Sequence, residues 1–173
     1  MKKILITLTI IGASVVFLVY PSKKLNKKEM VEQMDSTEVV KSTAEIQMYY
    51  FIKKYSKEYN IPEEYAFSLA YQETRYNGID DTLYRPNRVS SAGALGPMQI
   101  MPATAKYIYG KKIPKNELKN NIGLNVEISM KLLRHLHDKY NDWGLVFGAY
   151  NTGKPCINRY SREILKSKEN KDC

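Results

Sequence analysis

The sequence predicts a mainly α-helical domain of α+β character. One small β or irregular region around residues 78–97 interrupts the helices, and an N-terminal membrane segment precedes them. Three observations predict this. From Ile46 onward the apolar residues recur mostly at helical spacing. Glycine and proline cluster from Gly78 to Pro97, at Gly78, Pro86, Gly93, Gly96 and Pro97, where that spacing lapses. Ile4 to Tyr20 carry no charge and follow the basic start Met1-Lys2-Lys3.

The N-terminal run, "ILITLTIIGASVVFLVY", is followed by Pro21 and by Lys23, Lys24, Lys27 and Lys28. Its 17 residues exceed a usual signal-peptide core and lie at the lower limit for crossing a bilayer. Residues 1–21 are thus a signal anchor or a signal peptide. The only small-residue pair at cleavage spacing is Gly12 and Ser14, and cutting there leaves "VVFLVY" exposed, which favours the anchor. The lysines after the run outnumber those before it, against the usual rule for an exported domain. Residues 22–44 are rich in lysine, glutamate and serine, and read as a polar tether with helical stretches.

The domain proper is expected over residues 45–166. "IQMYYFIKKYSKEY" is a dense aromatic helix ending near Asn60, and Pro62-Glu63-Glu64 starts the next, expected from Pro62 to about Tyr76. After the irregular segment come a short helix over Pro102–Tyr109 and a polar loop with Pro114. Ile122, Val126, Ser129, Leu133, Leu136 and Tyr140 trace a seam on a helix of roughly 20 residues. Trp143–Tyr150 forms a short helix broken at Asn151-Thr152-Gly153, and Ile157, Tyr160 and Ile164 mark the last one. Residues 167–173 are a basic tail. Cys156 and Cys173 are able to pair if the domain is exported, or to remain two thiols.

A hydrophobic content of 43% supplies a core, and the net charge of +9 suits an anionic partner: nucleic acid, anionic lipid or an acidic wall polymer. No RNA-binding aromatic signature, zinc finger or long basic helix is present, which sets nucleic acid aside. His135 and His137 lie two apart on a helix and face differently, so metal-ligand spacing is absent.

Three places call for a chemical reason. Ala66, Leu69, Ala70 and Glu73 fall at i, i+3, i+4 and i+7, one stripe of a helix, so a carboxylate stands where core residues belong. A desolvated glutamate with a raised pKa is what a general acid requires; the alternative is a structural pair with Arg75 or another base. "SSAGALGPMQIMPATA", Ser90 to Ala105, combines a tight turn with Met98, Gln99 and Met101, an amide and two thioethers suited either to lining a groove or to the core. "GAYNTG", Gly148 to Gly153, puts Tyr150 and Asn151 at a helix end, as a C-cap or as a hydroxyl held beside a carboxylate.

Together, "YQETRYN", "GALGPMQIMPATA" and "AYNTG" resemble, in order and spacing from about Tyr49 to Arg162, the catalytic domain of the lytic transglycosylases, of the lysozyme-like superfamily. The resemblance implies a lysozyme-like fold and a lyase that cuts the MurNAc-β-1,4-GlcNAc bond of peptidoglycan, leaving 1,6-anhydro-MurNAc ends without cofactor or metal. It implies that Glu73 is the single acid/base, that Ser90 lies near it, that Met98, Gln99 and Met101 line the glycan groove, and that Tyr150, followed by Asn151, steadies the carboxylate. The sequence departs from the family pattern in Thr74 for a serine and in Gly96-Pro97-Met98-Gln99 for the usual Gly-Leu-Met-Gln. It also has a longer interval from Glu73 to Gly93, with "IDDTLYRPNRV" added.

Implied partners are peptidoglycan glycan strands and, through residues 4–20, the cytoplasmic membrane. The catalytic domain is then expected on the outer side of that membrane, in the cell envelope. Small anchored relatives often open the wall for secretion, conjugation or phage entry. Two further readings share the fold: a lysozyme-type hydrolase using Asp80 or Asp81 to activate water, and a wall-binding protein without turnover.

Overall fold

The computed structural model describes residues 4–10, 13–19 and 25–169. Over the N-terminal run, the expected membrane helix is not observed. β1 (Ile4–Ile10) pairs antiparallel with β2 (Ala13–Val19), Ile4 opposite Val19 and Ile10 opposite Ala13. No helix among the described residues is long and apolar enough to cross a membrane. Ile4, Ile6, Thr7, Thr9, Val15, Val16 and Val19 are β-branched and favour extended backbone, a preference that hydropathy alone does not register. Met1–Lys3, Ile11-Gly12 and Tyr20–Lys24 lie outside the described residues, as do Cys173 and the end of the expected basic tail.

Residues 27–41, expected within a polar tether, form two short helices. α1 (Lys27–Glu32) starts in a capping box between Asn26 and Glu29, and α2 (Ser36–Lys41) in one between Asp35 and Glu38. Each contributes one valine, Val31 and Val39, to the core. Two apolar residues are too few to show as a periodicity, yet they suffice to seat both helices on α3 (Ala44–Glu58). There Glu32 accepts from Tyr49 and pairs with Lys53.

α3 buries Met48, Phe51 and Ile52 against α7 (Ile122–Tyr140), which runs through the middle of the domain with Val126, Ser129 and Leu133 inside. α7 is capped by Asn121 and ended by Asn141 in the left-handed region, as its seam predicts. α4 (Glu63–Thr74) stops two residues short of the expectation. Arg75 takes a left-handed conformation with φ 62°, closing the helix end and turning Tyr76 into the core, where its hydroxyl donates to the carbonyl of Glu45.

Between α4 and α5 (Pro102–Tyr109) the chain is irregular, as expected, with single bridges Val89–Leu95 and Leu95–Ile100 and no strand. α6 (Lys115–Asn120) occupies the expected polar loop; Leu118 is its one buried residue, which is why no periodicity announced it. α8 (Trp143–Thr152) begins at the Asp142 cap and ends at Gly153. α9 (Arg159–Glu169) then lies across both α8 and α4.

That last crossing depends on a bare backbone. A Cβ on Gly148 would stand 1.7 Å from the carbonyl oxygen of Cys156, so the segment entering α9 rests directly on α8. Gly148→Ala is expected to destabilise by about 3 kcal/mol or more through overpacking. Gly110→Ala, at φ 78° with nothing within 4 Å of the added carbon, should lose only about 1 kcal/mol. Urea unfolding of the two variants measures the difference.

Candidate active site

Helix α4 supplies the central carboxylate. Ala66, Leu69 and Ala70 are fully buried, so the stripe they form does face the core, and Glu73 continues it in the last turn. Enclosure of the carboxyl pushes its pKa from 4.5 up to about 7, because burial disfavours the charged form. The opposing contribution is one hydrogen bond, donated by the Tyr160 hydroxyl of α9 to Glu73 Oε1, which favours the anion. Burial, and then the charge of Glu73, hold the Tyr160 hydroxyl well above its ordinary pKa, so it stays a donor.

The structural pair with Arg75 does not form. The Arg75 guanidinium lies 5.1 Å from the Tyr71 ring centre, and its charge is felt by Glu163 rather than by Glu73.

Next to Glu73, Thr74 is buried and ties the helix end to the turn that follows. Its hydroxyl donates to the carbonyl of Pro97 at 2.8 Å and meets the Tyr84 hydroxyl at 2.9 Å. A hydroxyl is all this requires, and threonine supplies it.

The same turn is held from two other helices. Asn125, buried in α7, accepts from the Met98 N–H and donates to the carbonyls of Leu95 and Leu118. The Tyr150 hydroxyl, from α8, donates to the Met98 carbonyl at 2.7 Å and pairs with Ser129 at 2.9 Å. Gly96 has φ 76°, and a Cβ there would meet Asn125 Nδ2 at 2.6 Å, so glycine is needed for conformation and for space.

Against the expected site, the structure makes several corrections. Met98 is fully buried; its backbone belongs to the site's support while its side chain fills the interior. The Tyr150 hydroxyl is committed to Met98 and Ser129, and the tyrosine on Glu73 is Tyr160. Tyr150 still senses Glu73 electrostatically. Ser90 Oγ accepts from Ala94 N–H, closing its own turn rather than bonding the glutamate. Gln99, in a left-handed conformation at φ 50°, folds its amide back on the Gly96 carbonyl. Met101 is exposed and caps α5, and exposed Asn151 accepts from Asn158.

Asp80 is a surface residue, its side chain 85% exposed and paired with Lys27. His135 meets Tyr107 and His137 lies tilted against Trp143, so the two rings do face different ways. Cys156 is exposed.

Two residues in this arrangement escaped the sequence reading. Asn125 carried a signal, being a polar residue beside the apolar seam of α7 at Ile122 and Val126. Tyr160 carried none, since an aromatic at helical spacing with Ile164 reads as core.

Residues 50–173 match the transglycosylase SLT domain. The chain belongs to that family. The SLT domain is also similar to solved structures. One is the 70 kDa soluble lytic transglycosylase Slt70 from Escherichia coli, with 27% identity and a TM-score of 0.51 over 69% of this chain and 18% of that one. Another is a complex of the 70 kDa soluble lytic transglycosylase with bulgecin A, with 22% identity and a TM-score of 0.50 over 82% of this chain and 20% of that one; it bears on fold alone. The chain therefore spans about a fifth of the length of these structures.

In this SLT domain the native state holds the Glu73 proton more tightly than the unfolded chain does. Stability therefore falls as pH rises from 4.5 through about 7. Glu73→Gln removes that titration, worth about 3 kcal/mol at most. Its urea midpoint is expected to exceed wild type by more at pH 8 than at pH 5. Tyr160→Phe removes the bond that favours the anion, and should move the Glu73 carboxyl further up in carbon-detected NMR.

Proposed function

We propose that the chain is a peptidoglycan lytic transglycosylase in which Glu73 alone serves as acid and then base. The observation that carries the reading is the isolated, enclosed carboxyl of Glu73, with its pKa pushed up to about 7 by burial rather than by a second acid. A carboxyl of that kind is populated in both forms near neutral pH, as a group that gives and then retrieves a proton must be.

In the proposed reaction, protonated Glu73 gives its proton to the oxygen joining muramic acid C1 to GlcNAc C4. The C1–O bond breaks, GlcNAc leaves with a hydroxyl at C4, and the acetamido group of the muramic acid stabilises the cationic centre. The Glu73 anion takes the proton of the C6 hydroxyl as that oxygen bonds C1, giving a 1,6-anhydro ring. No water is consumed, and the glutamic acid is regenerated. Tyr160 accompanies the anionic stage, since its hydrogen bond strengthens as charge develops.

The hydrolytic alternative needs a second carboxylate near the sugar. Asp80, one of its two candidates, is paired with Lys27 at the surface, which favours the single-carboxylate reading. Location in the cell envelope agrees with the uncharged run after a basic start and with the excess of positive charge facing an anionic wall. Local opening of the wall for secretion, conjugation or phage entry is the service proposed for a domain of this size.

Digestion of purified peptidoglycan followed by mass analysis of the muropeptides is the test. Anhydro ends, lighter by one water than reducing ends, are expected, whereas reducing ends alone would mean a hydrolase. Glu73→Gln should lose roughly 10²–10⁴-fold in kcat. Absence of release by wild type and variant alike would leave a wall-binding protein. The rate should also fall as pH rises past about 7, as Glu73 loses the proton it donates.

A further inference from the structure

The segment from Ile79 to Val89, which lengthens the interval between Glu73 and Gly93, takes no part in the proposed proton transfers. Most of it lies at the surface, and Leu83 stands 80% exposed, yet Ile79 and Tyr84 are buried. Asp81 N–H donates to the Gly78 carbonyl and Tyr84 N–H to that of Asp81, so the chain folds into consecutive turns. These turn Tyr84 inward, edge to face on Tyr76 with ring centres 5.1 Å apart.

The segment is held at three points. At its start, Lys27 Nζ of α1 donates to the Ile79 carbonyl at 2.7 Å and to Asp80 Oδ1 at 3.1 Å. Near its end, the Arg88 carbonyl accepts from Gly96 N–H at 2.9 Å, on the turn that Thr74, Asn125 and Tyr150 brace. Between them the Tyr84 hydroxyl lies 2.9 Å from Thr74 Oγ1, and both residues are buried.

The direction of that middle bond follows from its surroundings. A threonine hydroxyl has one proton and two lone pairs. The carbonyls beside it, Pro97 at 2.8 Å and Ala70 at 3.4 Å, only accept, so Thr74 donates to them and Tyr84 donates to Thr74. Burial pushes the Tyr84 hydroxyl up to about 12, so its proton stays in place. With a phenol donor fixing the Thr74 rotor, the shorter bond, to Pro97, ties the end of α4 to the turn.

We propose that Tyr84 is a positioning residue for Glu73: through Thr74 it sets the end of α4, and with it how closely the Glu73 carboxyl meets the Tyr160 hydroxyl. Its part in turnover rests on the transglycosylase reading, whereas its effect on the carboxyl does not. Lys27 precedes the family match over residues 50–173, so the outer anchor of this strut is an addition to the family domain. Among the described residues, the titratable groups that face Glu73 are Tyr150 of α8 and Tyr160 of α9. Burial keeps both protonated, so no further charge intervenes when Tyr84 is changed.

The test is Tyr84→Phe in the full chain, which removes the donor and keeps the ring against Tyr76. Carbon-detected NMR is expected to place the Glu73 carboxyl pKa above that of wild type, since a displaced α4 end weakens the Tyr160 bond that favours the anion. Thr74→Val removes the same link from its other side and should act alike, and the two together should do no more than either alone. In a Tyr160→Phe background, Tyr84→Phe should move the carboxyl no further. Leu83→Ala, on the exposed side of the segment, should leave it where it is. A shift that adds in full to that of Tyr160→Phe would overturn the proposal. So would a lowered urea midpoint with the carboxyl unmoved, which would make Tyr84 a core residue only.

On glycan, Tyr84→Phe is expected to lower kcat roughly tenfold with KM unchanged, and to carry the fall in rate to higher pH. A rise in KM alone, or an equal loss at every pH, would also overturn the proposal. If wild type cleaves no glycan, the lytic reading fails, while the carboxyl titration still decides the role of Tyr84.

Discussion

The turn from Leu95 to Met98 is buried, and backbone partners meet only part of it: Leu95 exchanges hydrogen bonds with Ile100, and Gly96 N–H donates to Arg88. The groups left over must be met by side chains, or they would cost about 1–3 kcal/mol each. Three helices meet them: Thr74 from α4 takes the carbonyl of Pro97, Asn125 from α7 takes Leu95 and Met98, and Tyr150 from α8 takes Met98 again. Each contact fixes a helix end as well as the turn. Because Thr74 is the residue after Glu73, the knot that holds the loop also sets where the carboxylate sits.

A second dependence runs through α9. Bare backbone at Gly148 lets the chain cross α8, and the crossing directs α9 onto α4, where Tyr160 reaches Glu73. The glutamate is enclosed by this helix as well as by its own. The same packing that removes water from the carboxyl thus delivers the single hydrogen bond that offsets the loss of hydration. Burial and donor arrive on one element, so neither is readily altered alone.

Much of this was legible in the sequence, for identifiable reasons. The seam of α7, the start of α4 at Pro62 and the limits of α5 follow from helical spacing and caps, which are local. Glu73 stood out because a charge broke an apolar stripe. The roles of Met98 and Tyr150 were read from position in a motif, which fixes neighbourhood but not direction: Met98 lends its backbone and buries its side chain, and Tyr150 braces the turn. Tyr160 was invisible because its function exists only through the crossing at Gly148, a tertiary event. The N-terminal run is a strand pair and not the expected helix, since apolar character is common to membrane helices and to β-branched strands.

The knot and the crossing together bear on how one carboxylate would serve in the proposed reaction. A site with two interacting acids adjusts their pKa values through mutual repulsion, and each then depends on the other's position. Here the adjustment comes from desolvation opposed by one neutral donor. A neutral donor stabilises the anion without preventing protonation, so the carboxyl can occupy either state with little rearrangement around it. Rigid support then matters more than additional charge. The turn held by Thr74, Asn125 and Tyr150 supplies that support with neutral hydroxyl and amide groups throughout. A positively charged partner in place of Tyr160 would hold the carboxyl ionised, and Arg75, only two residues away, is turned out toward Tyr71.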